Sequence, residues 1–251
     1  MPGWRARIAL ISPQGETLER TFNVYAPRGV STNTTKIWFP GPSVEGLVHL
    51  SDQLESAAKI FAGWHHDLAM FGCTSGSLVK GVGFDKECIE RLEKASGFPA
   101  LTTSTAVLEG FDKLGMPSTA VLTPYPDETN AAEKKFLEDN GIKVTTIDAI
   151  EESPARNRRN TVADGLKQVR RPCIPDLEDT QIYKSVMKMD LSGAQSLFIS
   201  CAGLDTMEIV EMLETDLGIP VITSCQASLW GALRHCRVGD RMPRYGKLFT
   251  L

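Results

Sequence analysis

Two cysteines carry most of the chemistry that this sequence offers. Cys73 stands in LAMFGCTSG and Cys201 in SLFISCAGL, each after a short apolar run and before a turn of small residues. The likeness continues downstream, where SGFPALTTSTAVLEGF follows the first cysteine and LGIPVITSCQASLWGAL the second. A third pair joins RIALISP to TAVLTPY and matches Pro13 with Pro124. The three correspondences (13 to 124, 73 to 201, 103 to 224) run in the same order, as a duplicated half with loop insertions requires. Both sulfurs therefore stand at equivalent strand ends. In an open α/β sheet ligands sit beyond such ends, beside helix N-termini. If the halves face each other about a pseudo-twofold axis, the thiols flank one cleft.

An unperturbed thiol, with a pKa near 8.5, is only about 3% thiolate at pH 7. Helix-start N–H groups are expected to raise that fraction at Cys73 and Cys201. A thiolate on one face of a substrate and a thiol on the other can attack or deprotonate from one side and donate a proton from the opposite side. No metal and no organic cofactor is needed for that chemistry. The turns Cys73-Thr74-Ser75-Gly76 and Cys201-Ala202-Gly203 can aim consecutive amides at an anion. Hydroxyls of Thr74, Ser75 and Tyr125 add donors suited to a carboxylate, and still better to the enediolate formed when charge moves onto it.

Other signals are weaker. Cys88, Cys173, Cys225 and Cys236 read as small buried hydrophobes. His65-His66 reads as a helix C-terminal pair, and His49 and His235 as incidental. GCTSGSLVKG lacks the Walker order, Gly81-Val82-Gly83 lacks the third glycine of a dinucleotide fingerprint, and no G-x-S-x-G elbow occurs.

The elements that would position these residues follow from hydrophobic period. Strands are expected at 7–11, 67–72, 100–103, 119–122, 143–147, 196–200 and 220–223. Helices are expected at 44–62, 85–96, 106–114, 130–140, 182–189, 207–217 and 227–236. Such alternation implies an α/β fold of parallel sheets covered by helices. We expect residues 1–104 with 226–251 to form one lobe and 105–225 the other.

Composition fits that picture. The 251 residues are 42% hydrophobic and 23% charged, enough to build a sizeable core. A net charge of −4 gives no electrostatic case for nucleic acid, and the densest basic run, Arg156-Asn157-Arg158-Arg159, reads as a solvated loop. No apolar run is long enough for a bilayer, and the N-terminus has no signal-peptide pattern. Six cysteines without a C-x-x-C pair suggest free thiols in a reducing cytoplasm.

On GCTSG (72–76), TTSTAVLEGF (102–111), LTPYPDETN (122–130), LFISCAGL (197–204), PVITSCQASLWGALR (220–234) and RYGKLF (244–249), the chain resembles the aspartate/glutamate racemase superfamily. The likeness is closest to its maleate cis-trans isomerase and arylmalonate decarboxylase branch, with a racemase-like ectoine-utilisation group also similar. The resemblance implies two Rossmann-like lobes related by pseudo-twofold symmetry, with the active site in the cleft between them. It implies Cys73 and Cys201 as the catalytic pair, with Thr74, Ser75 and Tyr125 binding a small carboxylate substrate. Arylmalonate decarboxylases carry Gly where Cys73 stands, so two thiols favour an isomerase or racemase. Maleate isomerases place an Asn after the first strand, where this chain has Pro13-Gln14-Gly15-Glu16, and Asn160 matches a second Asn ligand. A homo-oligomer is usual in the resembled family. The leading expectation is maleate-type isomerisation. Racemisation next to a carboxylate, decarboxylation of malonates and non-catalytic carboxylate binding stand as alternatives.

Overall fold

The computed structural model describes residues 3–151, 153 and 174–251. Asn160, Cys173 and the 156–159 run lie outside the described residues. The chain forms β1 (Ala6–Pro13), α1 (Thr17–Tyr25), β2 (Val30–Ile37), α2 (Val44–Ser51), α3 (Leu54–Lys59), β3 (Leu68–Phe71), α4 (Thr74–Leu78), α5 (Phe84–Ser96), β4 (Ala100–Thr102) and α6 (Thr103–Leu114). It continues through β5 (Ser118–Thr123), α7 (Asp127–Asp139), β6 (Lys143–Ala149), α8 (Asp179–Val186), β7 (Leu197–Ile199), α9 (Val210–Leu217), β8 (Val221–Thr223) and α10 (Ser224–His235).

The strands make two parallel sheets, ordered β2-β1-β3-β4 and β6-β5-β7-β8. The second order is the first repeated, so the duplication read in the sequence exists as topology. Side chains alternate across each strand. Ile8, Leu10, Met70 and Leu101 of the first sheet share one core with Val121, Phe198 and Ile222 of the second, together with α6 and α10. Ala9, Ile11, Ala69 and Phe71 pack on the opposite face against α2, α3 and α5. Ala120, Leu122, Leu197 and Ile199 do the same against α8 and α9. Fully burying one such aliphatic or aromatic side chain stabilises by about 1.5–3 kcal/mol.

Where α6 and α10 cross, small residues let the backbones approach. A Cβ on Gly231 would lie 2.9 Å from the Cβ of Ala106. Both helices begin directly on a strand end, three residues earlier than expected. Thr102 Oγ1 accepts from the Thr105 amide at 3.1 Å, and Thr223 Oγ1 from the Gln226 amide at 3.1 Å. The Gln226 side chain accepts in return from the Thr223 amide, completing a capping box.

Three further elements depart from expectation. The single helix expected over 44–62 is broken into α2 and α3, because Gln53 turns its amide to the backbone of Trp38, donating to its O at 2.8 Å and accepting from its N at 3.3 Å. The helix ends at Lys59, so His65 and His66 occupy the turn before β3, where His66 stacks edge-on with Phe61 and Phe98. β2 and α1 had no expected counterpart. β2 (VSTNTTKI) buries only Ile37 and lies at a sheet edge, so it has no apolar run to read.

Candidate active site

The register of both sheets brings the reactive residues together. In the first, Ile11 lies opposite Phe71 and Phe71 opposite Thr102. In the second, Leu122 lies opposite Ile199 and Ile199 opposite Thr223. Cys73 and Cys201 therefore emerge two residues beyond the ends of the equivalent inner strands β3 and β7. Both line one cavity of about 330 Å³, to which both halves contribute. Thr74, Ser75, Tyr125, Ala202 and Gln14 line it as well.

Each sulfur is held by the turn that follows it. Cys73 is the N-cap of α4, and its Sγ accepts from the Gly76 amide at 3.4 Å. The turn demands glycine there, because a Cβ on Gly76 would lie 2.9 Å from that sulfur and 2.8 Å from Leu50. Cys201 Sγ accepts from the Gly203 amide at 3.3 Å. No helix starts at Cys201, since α9 begins only at Val210, and Cys201 stands at a φ of 119°. A non-glycine residue with positive φ is strained and persists only where its surroundings hold it. One holder is Ser224, whose Oγ accepts from the Cys201 amide at 3.0 Å and from Thr74 Oγ1 at 2.8 Å. A single buried hydroxyl thus ties the first cysteine's turn to the second cysteine.

The expected thiolates are not the resting state. Burial pushes the Cys73 thiol up to about 12, with the Gly76 amide opposing and the neighbouring Cys201 sulfur adding to the rise. Burial lifts Cys201 to about 11, opposed first by the Tyr125 hydroxyl, which donates to its sulfur, and then by the Gly203 amide. Desolvation outweighs the few donors that a five-residue helix and a turn provide. Tyr125 is itself raised well above the usual phenol range by burial, with Cys201 and Glu133 next in effect. The cavity holds two thiols and a neutral phenol.

Gln14 lines the cavity with its side-chain amide braced against the backbone of Phe39. Its Nε2 donates to Phe39 O at 2.8 Å and its Oε1 accepts from Phe39 N at 2.8 Å. One N–H and one lone pair of the amide thus hold the segment leaving β2, which sets Phe39 as a wall of the cavity beside Leu18, Pro42, Ile174 and Pro175. No charged side chain lines the cavity among the described residues. No group of three or more His, Cys, Asp or Glu among the described residues could hold a metal ion. Cys88 and Cys225 are buried free thiols, as read from the sequence, whereas Cys236, read the same way, is only half-buried because it caps the C-terminus of α10. No helix among the described residues is long and apolar enough to cross a membrane.

Sequence reasoning missed Ser224 and Phe39. Ser224 was visible as the repeat partner of Thr103, because both follow the capping threonine at a strand end. Phe39 had no such signal, since it depends on β2.

Fold and site define a class: duplicated α/β enzymes with one cavity at the strand ends, to which both halves contribute. The chain belongs to the arylmalonate decarboxylase family, whose profile matches residues 41–249. It is 30% identical to arylmalonate decarboxylase of Bordetella bronchiseptica over 70% of this chain and 68% of that protein. It is 26% identical to maleate isomerase of Nocardia farcinica over 87% of this chain and 83% of that one. By fold it matches a cysteine-to-serine variant of Nocardia farcinica maleate cis-trans isomerase, solved with a covalently bound succinylcysteine intermediate. That match has a TM-score of 0.84 at 20% identity, covering 98% of both chains.

Proposed function

We propose that this chain is a cofactor-independent two-cysteine isomerase that interconverts cis and trans forms of a small dicarboxylate of the maleate type. The observation that carries the reading is the sharing of one cavity by Cys73 and Cys201, close enough for the Cys201 sulfur to oppose loss of the Cys73 proton. Cys73 sulfur bonds to one alkene carbon, and the π electrons move onto the adjoining carboxylate as an enediolate. Ser75, Tyr125 and the amides following each cysteine, that of Thr74 among them, receive that charge. Cys201 gives its proton to the neighbouring carbon and is reprotonated with the proton that Cys73 gives up. The net step is addition of a neutral thiol across the double bond, so the cavity's charge does not change. Rotation about the new single bond and the reverse sequence deliver the trans acid. The succinylcysteine adduct of the Nocardia farcinica relative supports the covalent step.

The same reading takes residues 1–104 with 226–251 as one lobe and 105–225 as the other, with a small carboxylate as the only partner besides further copies of the chain. One observation favours a second chemistry. The wall of Leu18, Phe39, Pro42, Ile174 and Pro175 suits a carboxylate bearing an apolar substituent, on which two thiols would racemise a carbon or release CO₂. Turnover of maleate, amino acids and arylmalonates in deuterated water, read by NMR, separates the readings. Fumarate formed from maleate supports the isomerase. Deuterium entering the α-position of recovered substrate, with no cis-trans conversion, overturns it.

A further inference from the structure

Glu133 lies on α7 with no exposed surface. A carboxyl taken out of water needs a cation or several donors to stay ionised. Among the described residues it has one donor, the Ser200 hydroxyl on Oε1, and its Oε2 is buried without a partner. No charged group among the described residues contributes to its titration; burial pushes it up to about 7, with Ser200 alone opposing. An apolar residue would fill this place at less cost, so the carboxyl calls for another explanation.

Its position supplies one. Ser200 is the residue before Cys201, and its amide donates to Leu122 O at 2.8 Å, fixing the end of β7 to β5. Beyond the strained cysteine, the Leu204 amide donates to Cys201 O at 3.1 Å, while Ser224 takes the Cys201 amide. The turn is pinned on both sides, and Glu133 with Ser200 forms the side-chain part of the pin before it. Three titratable groups gather there. Glu133 comes from α7, Tyr125 from the turn after β5 and Cys201 from the turn after β7, and a negative Glu133 works against negative charge on each of the other two. Cys73, at the start of α4, acts on Tyr125 from across the cavity.

We propose that Glu133, acting through Ser200, is a positioning residue for Cys201: it holds the strained turn that aims the sulfur, and its ionisation suppresses negative charge there. The inference rests on the reading of Cys201 as a reactive thiol. Glu133 keeps its proton while charge sits on Cys201 or Tyr125, and ionises when that charge leaves.

The test is iodoacetamide alkylation of Cys201, followed by peptide mass spectrometry from about pH 6 to about pH 10. It compares the wild-type chain with Glu133→Gln, which leaves Ser200 an oxygen to donate to but cannot ionise. At about pH 9 the variant alkylates Cys201 at least about threefold faster, whereas Cys73 changes less than about twofold. Equal or slower reaction at Cys201 overturns the electrostatic half. Ser200→Ala removes the pin and lowers kcat at least about tenfold with KM within about twofold, while Glu133→Gln keeps most of the wild-type kcat. Full kcat in Ser200→Ala overturns the positioning half. A wild-type chain inactive on cis-dicarboxylates refutes the isomerase reading alone, because alkylation is read without substrate.

Discussion

Replacing Ser224 by Ala tests whether one hydroxyl holds both cysteine turns. Ser224 has no exposed surface, and its Oγ accepts from Thr74 Oγ1 at 2.8 Å and from the Cys201 amide at 3.0 Å. The alanine removes two hydrogen bonds of about 1 kcal/mol each and strands a poorly solvated amide, for a total of about 2–4 kcal/mol. In a chain of this size that lowers Tm by roughly 10 °C. The amide belongs to the residue held at positive φ, so the sulfur also loses an anchor, and kcat falls at least about tenfold, or about 1.4 kcal/mol of barrier. Ser228→Ala is the control. That hydroxyl pairs with Thr103 Oγ1 at 2.9 Å and touches neither cysteine turn, so stability drops by about 1 kcal/mol with kcat intact. Thermal unfolding and steady-state kinetics read both effects. A Ser224→Ala protein with Tm within about 2 °C of the parent and unchanged kcat refutes the reasoning.

Cys73→Ala and Cys201→Ala each abolish isomerisation, measured as fumarate from maleate; robust turnover in either variant removes the two-thiol mechanism. Gly76→Ala forces a Cβ to 2.9 Å from Cys73 Sγ, so stability falls by about 1–3 kcal/mol and kcat drops more than KM changes. Because both thiols are raised, to about 12 and about 11, alkylation of Cys73 and Cys201 climbs about tenfold per pH unit through neutral and alkaline pH; a plateau below pH 8 contradicts the burial argument. Glu133 is raised from 4.5 to about 7, so the folded state holds the proton more tightly, and its contribution is full below the unfolded value and lost as pH rises through about 7. Urea titrations should show the wild type losing about 3 kcal/mol across that window relative to Glu133→Gln, and parallel curves would exclude it.

The sequence made the duplication legible because it is written in chemistry-bearing residues at strand ends. Pro13 with Pro124, Cys73 with Cys201 and Thr103 with Ser224 mark equivalent ends of β1 and β5, β3 and β7, and β4 and β8. Long amphipathic helices such as α5 and α7 were readable for the usual reason, a sustained 3.6-residue period. What escaped lies at edges and in side-chain bonds made over long sequence separations. β2 is an edge strand of threonines, and α4 is too short to show a period. The break between α2 and α3 depends on Gln53 reaching Trp38, and the fate of Gln14 on its reaching Phe39. The sequence shows Gln14 only as the residue in the turn after the first strand; that its amide braces Phe39 depends on the fold. Thiol ionisation was misjudged for a related reason. Local spacing shows the amides that favour a thiolate, whereas the burial that opposes it comes from packing of two lobes.

Bridging by dibromobimane, which joins only thiols that face each other closely, measures the sulfur pair without any assumption about substrate. Mild alkaline treatment followed by peptide mapping should yield Cys73 linked to Cys201, with loss of all turnover and protection by bound dicarboxylate. Cys201 joined instead to Cys225, or two singly modified cysteines with no link, would mean that the sulfurs do not share a working cavity.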